Sequence, residues 1–235
     1  MEDLILNPDP FGSHNQIIKR ITPNSIILDV GCSNGAIGEF LIKNKKCRVY
    51  GVELLKNSAN IALKKGYAKV LIKNLNQIDN LPFPPKFFDF IICADVLEHL
   101  ENPLKMLKIL KPHLKKKGFI IASIPNIANW YSRLRLLFGN WEYGGAGLFD
   151  ETHLRFFNLK TAKQLFIAAD FKINEIDYTS NLNPQTFALI FEQQKSKSSY
   201  SALKKKIIPL LKLRYNLMRI YPRLFAIQFI IKAQN

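Results

Sequence analysis

Leu28-Asp-Val-Gly-Cys-Ser-Asn-Gly-Ala-Ile-Gly38, with Glu53 closing Arg48-Val-Tyr-Gly-Val-Glu53, is the stretch that decides the fold. An apolar strand, 26–30, runs into a turn of small residues and then into a helix, and a second short strand ends in an acid eighteen residues beyond Gly35. Gly31 and Gly35 admit a close backbone approach, the helix start offers unpaired N–H groups, and a carboxylate at the tip of the next strand can accept from both hydroxyls of a ribose. That combination describes a nucleotide-type site. A dinucleotide fingerprint needs glycine at the first, third and sixth places, but counting from Gly31 the third is Ser33 and the sixth is Ala36, which disfavours a pyrophosphate carrier.

A chain of 235 residues that is 48% apolar and 11% aromatic can bury one α/β domain with additions, and two independent domains would be cramped. No uncharged apolar run reaches about 18 residues, and Met1 to Phe11 carries Glu2, Asp3, Asp9 and two prolines, so neither a spanning helix nor a signal peptide is expected. The expected location is the cytoplasm. Cys32, Cys47 and Cys93 are few, far apart and set in apolar or turn contexts, as reduced structural thiols are, and no metal is assigned from the sequence.

Outward from the glycine turn, the spacing predicts a helix over 54–65, a strand over 68–73 and an extended loop through Leu81-Pro82-Phe83-Pro84-Pro85. A continuous apolar run, 87–94, is broken only by Asp89, the pattern of a parallel strand covered on both faces. A helix over 103–114 closes on Lys115-Lys116-Lys117-Gly118, and a strand follows over 119–124. Residues 127–158 break the rhythm with a polar-aromatic segment containing Gly144, Gly145 and Gly147, which reads as a lid or substrate insertion. The rhythm resumes with a helix over 159–169, a strand over 171–178 and a final strand over 224–232. Strands alternating with helices imply right-handed crossovers, a mainly parallel sheet with helices on both faces, and a site at the carboxyl ends of the strands, where Gly31, Glu53, Asp95 and Asn126 fall.

Asp29 through Gly35, Gly51-Val-Glu53, Leu81-Pro-Phe83, Phe88-Asp-Phe-Ile-Ile-Cys-Ala-Asp-Val-Leu-Glu-His-Leu100, the segment 115–121 and Thr152-His-Leu-Arg-Phe-Phe157 occur in an order that resembles the bacterial class I S-adenosylmethionine-dependent methyltransferases, of the MetW-like or small-molecule group. The resemblance implies a single Rossmann-like domain over residues 1–235, with a seven-stranded sheet whose last strand is antiparallel and a basic insertion, 181–222, before that strand. It also implies S-adenosylmethionine as cofactor. The turn Gly31, Cys32, Ser33 and Gly35 would pass the methionine part, Asp29 would hold its amino end and Glu53 the ribose, with Asp95 on the same edge. Where the family usually has an acid for the adenine amino group this chain has Asn74, whose side-chain carbonyl can accept the same hydrogen bond without charge.

A sulfonium methyl is already activated, so the enzyme's task is mainly to align a nucleophile in line with the S–CH3 bond. A hydroxyl or amine acceptor also needs a base, and a positioned histidine contributes about 10²- to 10⁴-fold. His153, in Thr-His-Leu-Arg after the glycine-rich loop, and His99, at the end of Asp95-Val-Leu-Glu-His, are the candidates, each with a structural role as the alternative. Arg155 could fork onto an acceptor carboxylate or phosphate, and Trp130, Tyr131, Trp141 and Tyr143 could line an acceptor pocket or form a satellite core. His14 reads as a residue closing the cofactor pocket, and His113 as a solvated group at a basic helix end.

The formal net charge of +16 is unevenly placed: ten Lys or Arg follow Glu192 with no further acid, so the remaining 24 basic and 18 acidic groups leave a body near +6. Such a body does not advertise nucleic-acid binding, while the tail asks for an anionic neighbour. On a helical projection of 202–221, Lys204, Lys205, Lys212, Asn216 and Arg219 share one face, opposite Leu203, Ile207, Leu210, Leu211, Leu217, Met218 and Tyr221. That suits a helix at an anionic membrane surface through residues 200–222, or one covering its own domain with lysines outward. The expected function is methyl transfer to a small sugar, lipid-linked or quinone-like molecule, with a non-catalytic or partner-dependent cofactor-binding protein, and then an RNA methyltransferase, as the alternatives.

Overall fold

The computed structural model describes residues 12–145, 147–179, 213 and 216–235. Its strands are β1 (Ile26–Val30), β2 (Arg48–Glu53), β3 (Lys69–Ile72), β4 (Phe88–Ala94), β5 (Leu114–Pro125), β6 (Lys172–Thr179) and β7 (Gln228–Gln234). They form one sheet in the order β3-β2-β1-β4-β5-β7-β6, with β7 antiparallel to both of its neighbours. The expected Rossmann-like sheet with an antiparallel last strand is therefore what the chain adopts. The helices described over their whole extent are α1 (Ser13–Lys19), α2 (Ala36–Lys45), α3 (Lys56–Lys64), α4 (Pro103–Leu110), α5 (Trp130–Leu137), α6 (Leu159–Ala168) and the single turn α7 (Pro222–Phe225), and residues 216–220 are helical too.

The apolar runs separate into two cores because successive strand residues face opposite ways. Leu28, Tyr50, Ile91 and Ile120 pack with Met106 and Leu107 of α4 and Phe166 of α6. Their neighbours Ile27, Val49, Ile92 and Ile121 pack with Ile17 of α1, Leu41 of α2 and Ala62 of α3 on the other face. Helices thus cover both sides, and the strand order reverses at β1, between β2 and β4. Ligand crevices of open α/β sheets form at such a reversal, outside the carboxyl ends of the strands.

Three boundaries differ from the sequence expectation. The helix expected over 103–114 stops at Leu110, where Pro112 lacks the N–H needed to continue, and a 3-10 turn, Lys111–His113, follows. His113, expected to be solvated, is buried there, with Nδ1 3.2 Å from the Pro84 carbonyl and its ring edge-on to Phe83. The residues expected to close that helix, Lys115 to Gly118, instead enter β5 as a bulge: Phe88 pairs with Leu114 but Phe90 pairs with Phe119, and Lys115 Nζ lies 2.7 Å from Asp89 Oδ1. The final strand begins at Gln228 rather than 224, because Pro222 starts a helical turn first.

Most of the basic insertion, 180–212 with 214 and 215, and the N-terminal 1–11 lie outside the described residues. Of the remainder, Met218 is buried in the core, whereas Leu213, Ile220 and Tyr221 are exposed. Among the described residues no helix is long and apolar enough to cross a membrane.

Gly38 sets how closely α2 can approach the sheet. A Cβ on it would stand 2.1 Å from the Tyr67 hydroxyl oxygen and 2.2 Å from its Cζ, so the ring occupies the space a side chain would need. Alanine is favoured over glycine inside a helix by about 1 kcal/mol, yet Gly38→Ala is expected to destabilise the chain by about 1–3 kcal/mol through overpacking. Urea unfolding measures the difference, and an unchanged or raised midpoint would contradict this packing.

Candidate functional site

β1 delivers Asp29 to the reversal point with its side chain 2% exposed. Its Oδ2 accepts from the Tyr67 hydroxyl at 2.6 Å, and Tyr67 Oη in turn accepts from the Gly38 N–H at 3.1 Å. Burial lifts the Asp29 carboxyl from 3.8 to about 7; the Tyr67 hydrogen bond pulls it down and the charge of Glu53 adds to the rise. Asp29 is therefore a carboxylate that a cation would stabilise.

Gly31 turns the chain at φ +68°, its N–H donating to the Val52 carbonyl at 2.8 Å. A Cβ there would lie 2.7 Å from Val96 Cγ2, and one on Gly35 would lie 2.9 Å from Ala62 Cα, so protein neighbours demand these glycines whatever ligand they also admit. Cys32 turns its thiol inward beneath Gly51, and burial raises that thiol's pKa well above its ordinary range, which leaves its backbone as the part facing the turn. Ser33, at φ +47°, donates its N–H to Glu53 Oε2 at 2.8 Å, and the Leu55 N–H reaches Glu53 Oε1 at 2.9 Å. Glu53 is thus fixed at the mouth of the turn with each oxygen held by one backbone donor, leaving further lone pairs for hydroxyls.

Two buried polar atoms on this edge have no hydrogen-bond partner among the described residues: Asn34 Oδ1, in the turn, and His14 Nδ1, from α1. Burial lowers the His14 pKa, against the opposing field of Asp95. Unsatisfied buried groups are uncommon in folded proteins, and a ligand supplying donors would satisfy both Asn34 and Glu53. Asp95, at φ +53°, is locked in place: its N–H donates to Ser123 Oγ at 2.9 Å, and its Oδ1 accepts from Ser123 Oγ at 2.7 Å and from Gln228 Nε2 at 2.8 Å. Asn74, expected at adenine, uses Oδ1 to accept the Asn76 N–H at 3.0 Å, capping the turn Leu75–Gln77, so one of its two lone pairs is already engaged.

Beyond Asp95 the chain enters the turn Leu97–His99, against which 150–155 docks: the N–H groups of Leu154 and Arg155 both donate to the Glu98 carbonyl at 2.9 Å. This docking brings His99 and His153 together, 54 residues apart in sequence, with ring centroids 4.7 Å apart. Burial, and then His99, lowers the His153 pKa. Arg155 departs from expectation. It is exposed, and its Nε and Nη2 donate to the Glu101 carbonyl at 3.1 and 2.6 Å, pinning the docked loop rather than presenting a fork to an acceptor. Trp130 and Tyr143 are 36% and 57% exposed, whereas Trp141 packs edge-on to Phe149 and Phe156 at 4.8 and 5.4 Å. Phe156 also meets His153, so the aromatic wall beside the histidines is built from Trp141, Phe149 and Phe156.

A family model described as a methyltransferase domain matches residues 11–176. This chain belongs to that family. The family is that of the class I S-adenosylmethionine-dependent methyltransferases. An uncharacterized protein of Methanocaldococcus jannaschii is 35% identical over 115 residues, 48% of this chain and 51% of that protein. The ubiquinone biosynthesis O-methyltransferase of Rickettsia typhi is 32% identical over 105 residues, 43% of this chain and 41% of that enzyme. The chain thus spans about half or less of the length of the curated relatives it matches. A crystal structure of a SAM-dependent methyltransferase from Thermotoga maritima shares the fold at TM-score 0.60 and 20% identity, covering 94% of this chain and 87% of that one.

The pH profile of stability tests the buried acid. Its Asp29 carboxyl titrates near 7 when folded and near 3.8 when not, so the folded state holds the extra proton between these values. The stability carried by the neutral form is complete below about pH 4 and is lost as pH rises through about 7. Asp29→Asn keeps an oxygen for Tyr67 and has no charge to bury. Its urea midpoint, measured without cofactor, is expected to gain on that of the unsubstituted chain between pH 4 and 7; parallel profiles would contradict the buried titration.

Proposed function

We propose that this chain transfers a methyl group from S-adenosylmethionine to an oxygen or nitrogen of a small-molecule acceptor. The observation that carries the cofactor half is Glu53, held at the mouth of the glycine turn by the Ser33 and Leu55 N–H groups with lone pairs to spare. The cofactor supplies an activated methyl on a sulfonium whose leaving group is a neutral thioether. Glu53 takes the ribose hydroxyls, and Asp29 takes the amino end, where a cation offsets the cost of its burial. The turn 31–35 supports the methionine part, and Asn74, with its remaining lone pair, meets the adenine.

On the acceptor side, Trp141, Phe149 and Phe156 supply an apolar wall, and His99 and His153 sit against it beside Asp95. An acceptor hydroxyl or amine loses a proton as its bond to the methyl forms, and the two imidazoles are the groups placed to serve that step. Residues 127–158, with α5 capped by Asn129, form the cover of this half. A small acceptor is favoured over RNA because the excess positive charge follows Glu192, away from these residues in the sequence.

Incubation with methyl-labelled S-adenosylmethionine and a panel of phenolic, sugar and amine acceptors, beside bulk RNA, is expected to place label in the small-molecule fraction. Label in RNA alone would contradict the acceptor class. Cofactor bound without transfer to any fraction would favour a non-catalytic or partner-dependent binding protein.

A further inference from the structure

Glu98 is 1% exposed, and neither of its carboxylate oxygens has a hydrogen-bond partner among the described residues. Leaving one buried polar atom unsatisfied costs about 1–3 kcal/mol, and more when the group is charged, so packing gives no reason for a glutamate at this place. Its surroundings do give one. One ligand atom each from Glu98, His99 and His153 lie within 4.8 Å of one another.

The two histidines are oriented as metal ligands are. His99 Nδ1 lies 3.1 Å from the Thr152 carbonyl oxygen and 3.0 Å from Thr152 Oγ1, and Thr152 Oγ1 itself donates to Asp150 Oδ1 at 2.6 Å. His153 Nδ1 lies 3.4 Å from the Leu148 carbonyl oxygen. A carbonyl can only accept, so each Nδ1 carries the proton and each Nε2 keeps its lone pair; a backbone carbonyl on the far nitrogen is the usual support of a ligating imidazole.

We propose that Glu98, His99 and His153 bind one divalent transition-metal ion. Donors placed about 2.1 Å from an ion in tetrahedral array stand about 3.4 Å apart, so side-chain rotation of about 1 Å closes the set. Two imidazoles and one carboxylate suit zinc, iron, cobalt, nickel or manganese rather than magnesium or calcium, which favour oxygen alone. Three protein ligands leave a position open, as at catalytic rather than structural sites.

Phe156 of the aromatic wall meets His153, which ties the ion and its open position to the methyl-transfer reading above, although binding itself does not depend on it. An acceptor hydroxyl bound there would be acidified. Its O–H bond breaks with the proton passing to water, the oxygen forms the bond to the methyl carbon, and the S–C electron pair stays on sulfur. On this account the histidines serve the proton step through the ion, as ligands rather than as bases.

The test uses the untagged full chain after chelator treatment, titrated by calorimetry with Zn2+, Co2+ and Mn2+ separately, in parallel with His99→Ala, His153→Ala and Glu98→Gln. One ion per chain is expected, with affinity reduced roughly tenfold or more in each variant and a metal-dependent rise in melting temperature that the variants lack. Melting temperature without metal, and S-adenosylmethionine binding, report folding; should Glu98→Gln fail to fold, the two histidine variants still decide. No saturable binding, or binding unchanged in the His99→Ala, His153→Ala double variant, would overturn the site. Metal binding that depends on these residues without methyl transfer to any acceptor would keep the site and remove the catalytic reading.

Discussion

The buried hydrogen bond from Tyr67 to Asp29 is the contact on which the cofactor end of this protein depends. Asp29 is the penultimate residue of β1, Tyr67 precedes β3, and the Gly38 N–H that donates to the same phenol belongs to α2. Three elements are thereby tied at one polar node beneath the turn 31–35, in surroundings where an unpaired carboxylate would be costly. Gly38 is glycine because the phenol stands where its side chain would be, and Cys32 and Gly51 close the same space from below. Glu53 is held over the turn by two backbone donors. Preorganisation of this kind lowers the conformational cost of binding.

The sheet was legible because its information is local. Periodicity, apolar runs and glycine punctuation placed every strand, and the motif order implied the antiparallel β7 even though its start was set four residues early. The errors share a cause: a proline acts through the backbone it cannot hydrogen-bond, and the sequence does not say whether it ends a helix, as Pro112 does, or begins one, as Pro222 does.

The site was legible only where one residue carries one role. Asp29, Gly31, Gly35, Glu53 and Asp95 all reach the expected edge. Tyr67, Ser123 and Gln228 were not foreseen, because each acts through a partner far away in sequence; the one local sign was a glycine, Gly38, inside a predicted helix. Arg155 shows the converse. Its type suited an anion fork, but the nearest acceptor in space is the Glu101 carbonyl. His99 and His153 were each singled out, yet their meeting, and the unpartnered Glu98 beside them, follow from a loop docking that no spacing rule encodes.

The central claim is that Glu53 and the turn beneath it form the cofactor site, and calorimetry of S-adenosylmethionine and of its demethylated product, with the unsubstituted chain beside Glu53→Ala, tests it most directly. The account predicts saturable binding of one molecule of either compound per chain, lost or weakened by at least roughly tenfold in the variant, since a charged hydrogen-bond partner contributes about 1.5–3 kcal/mol. Equal binding by the two chains, or none by the unsubstituted chain, would contradict it.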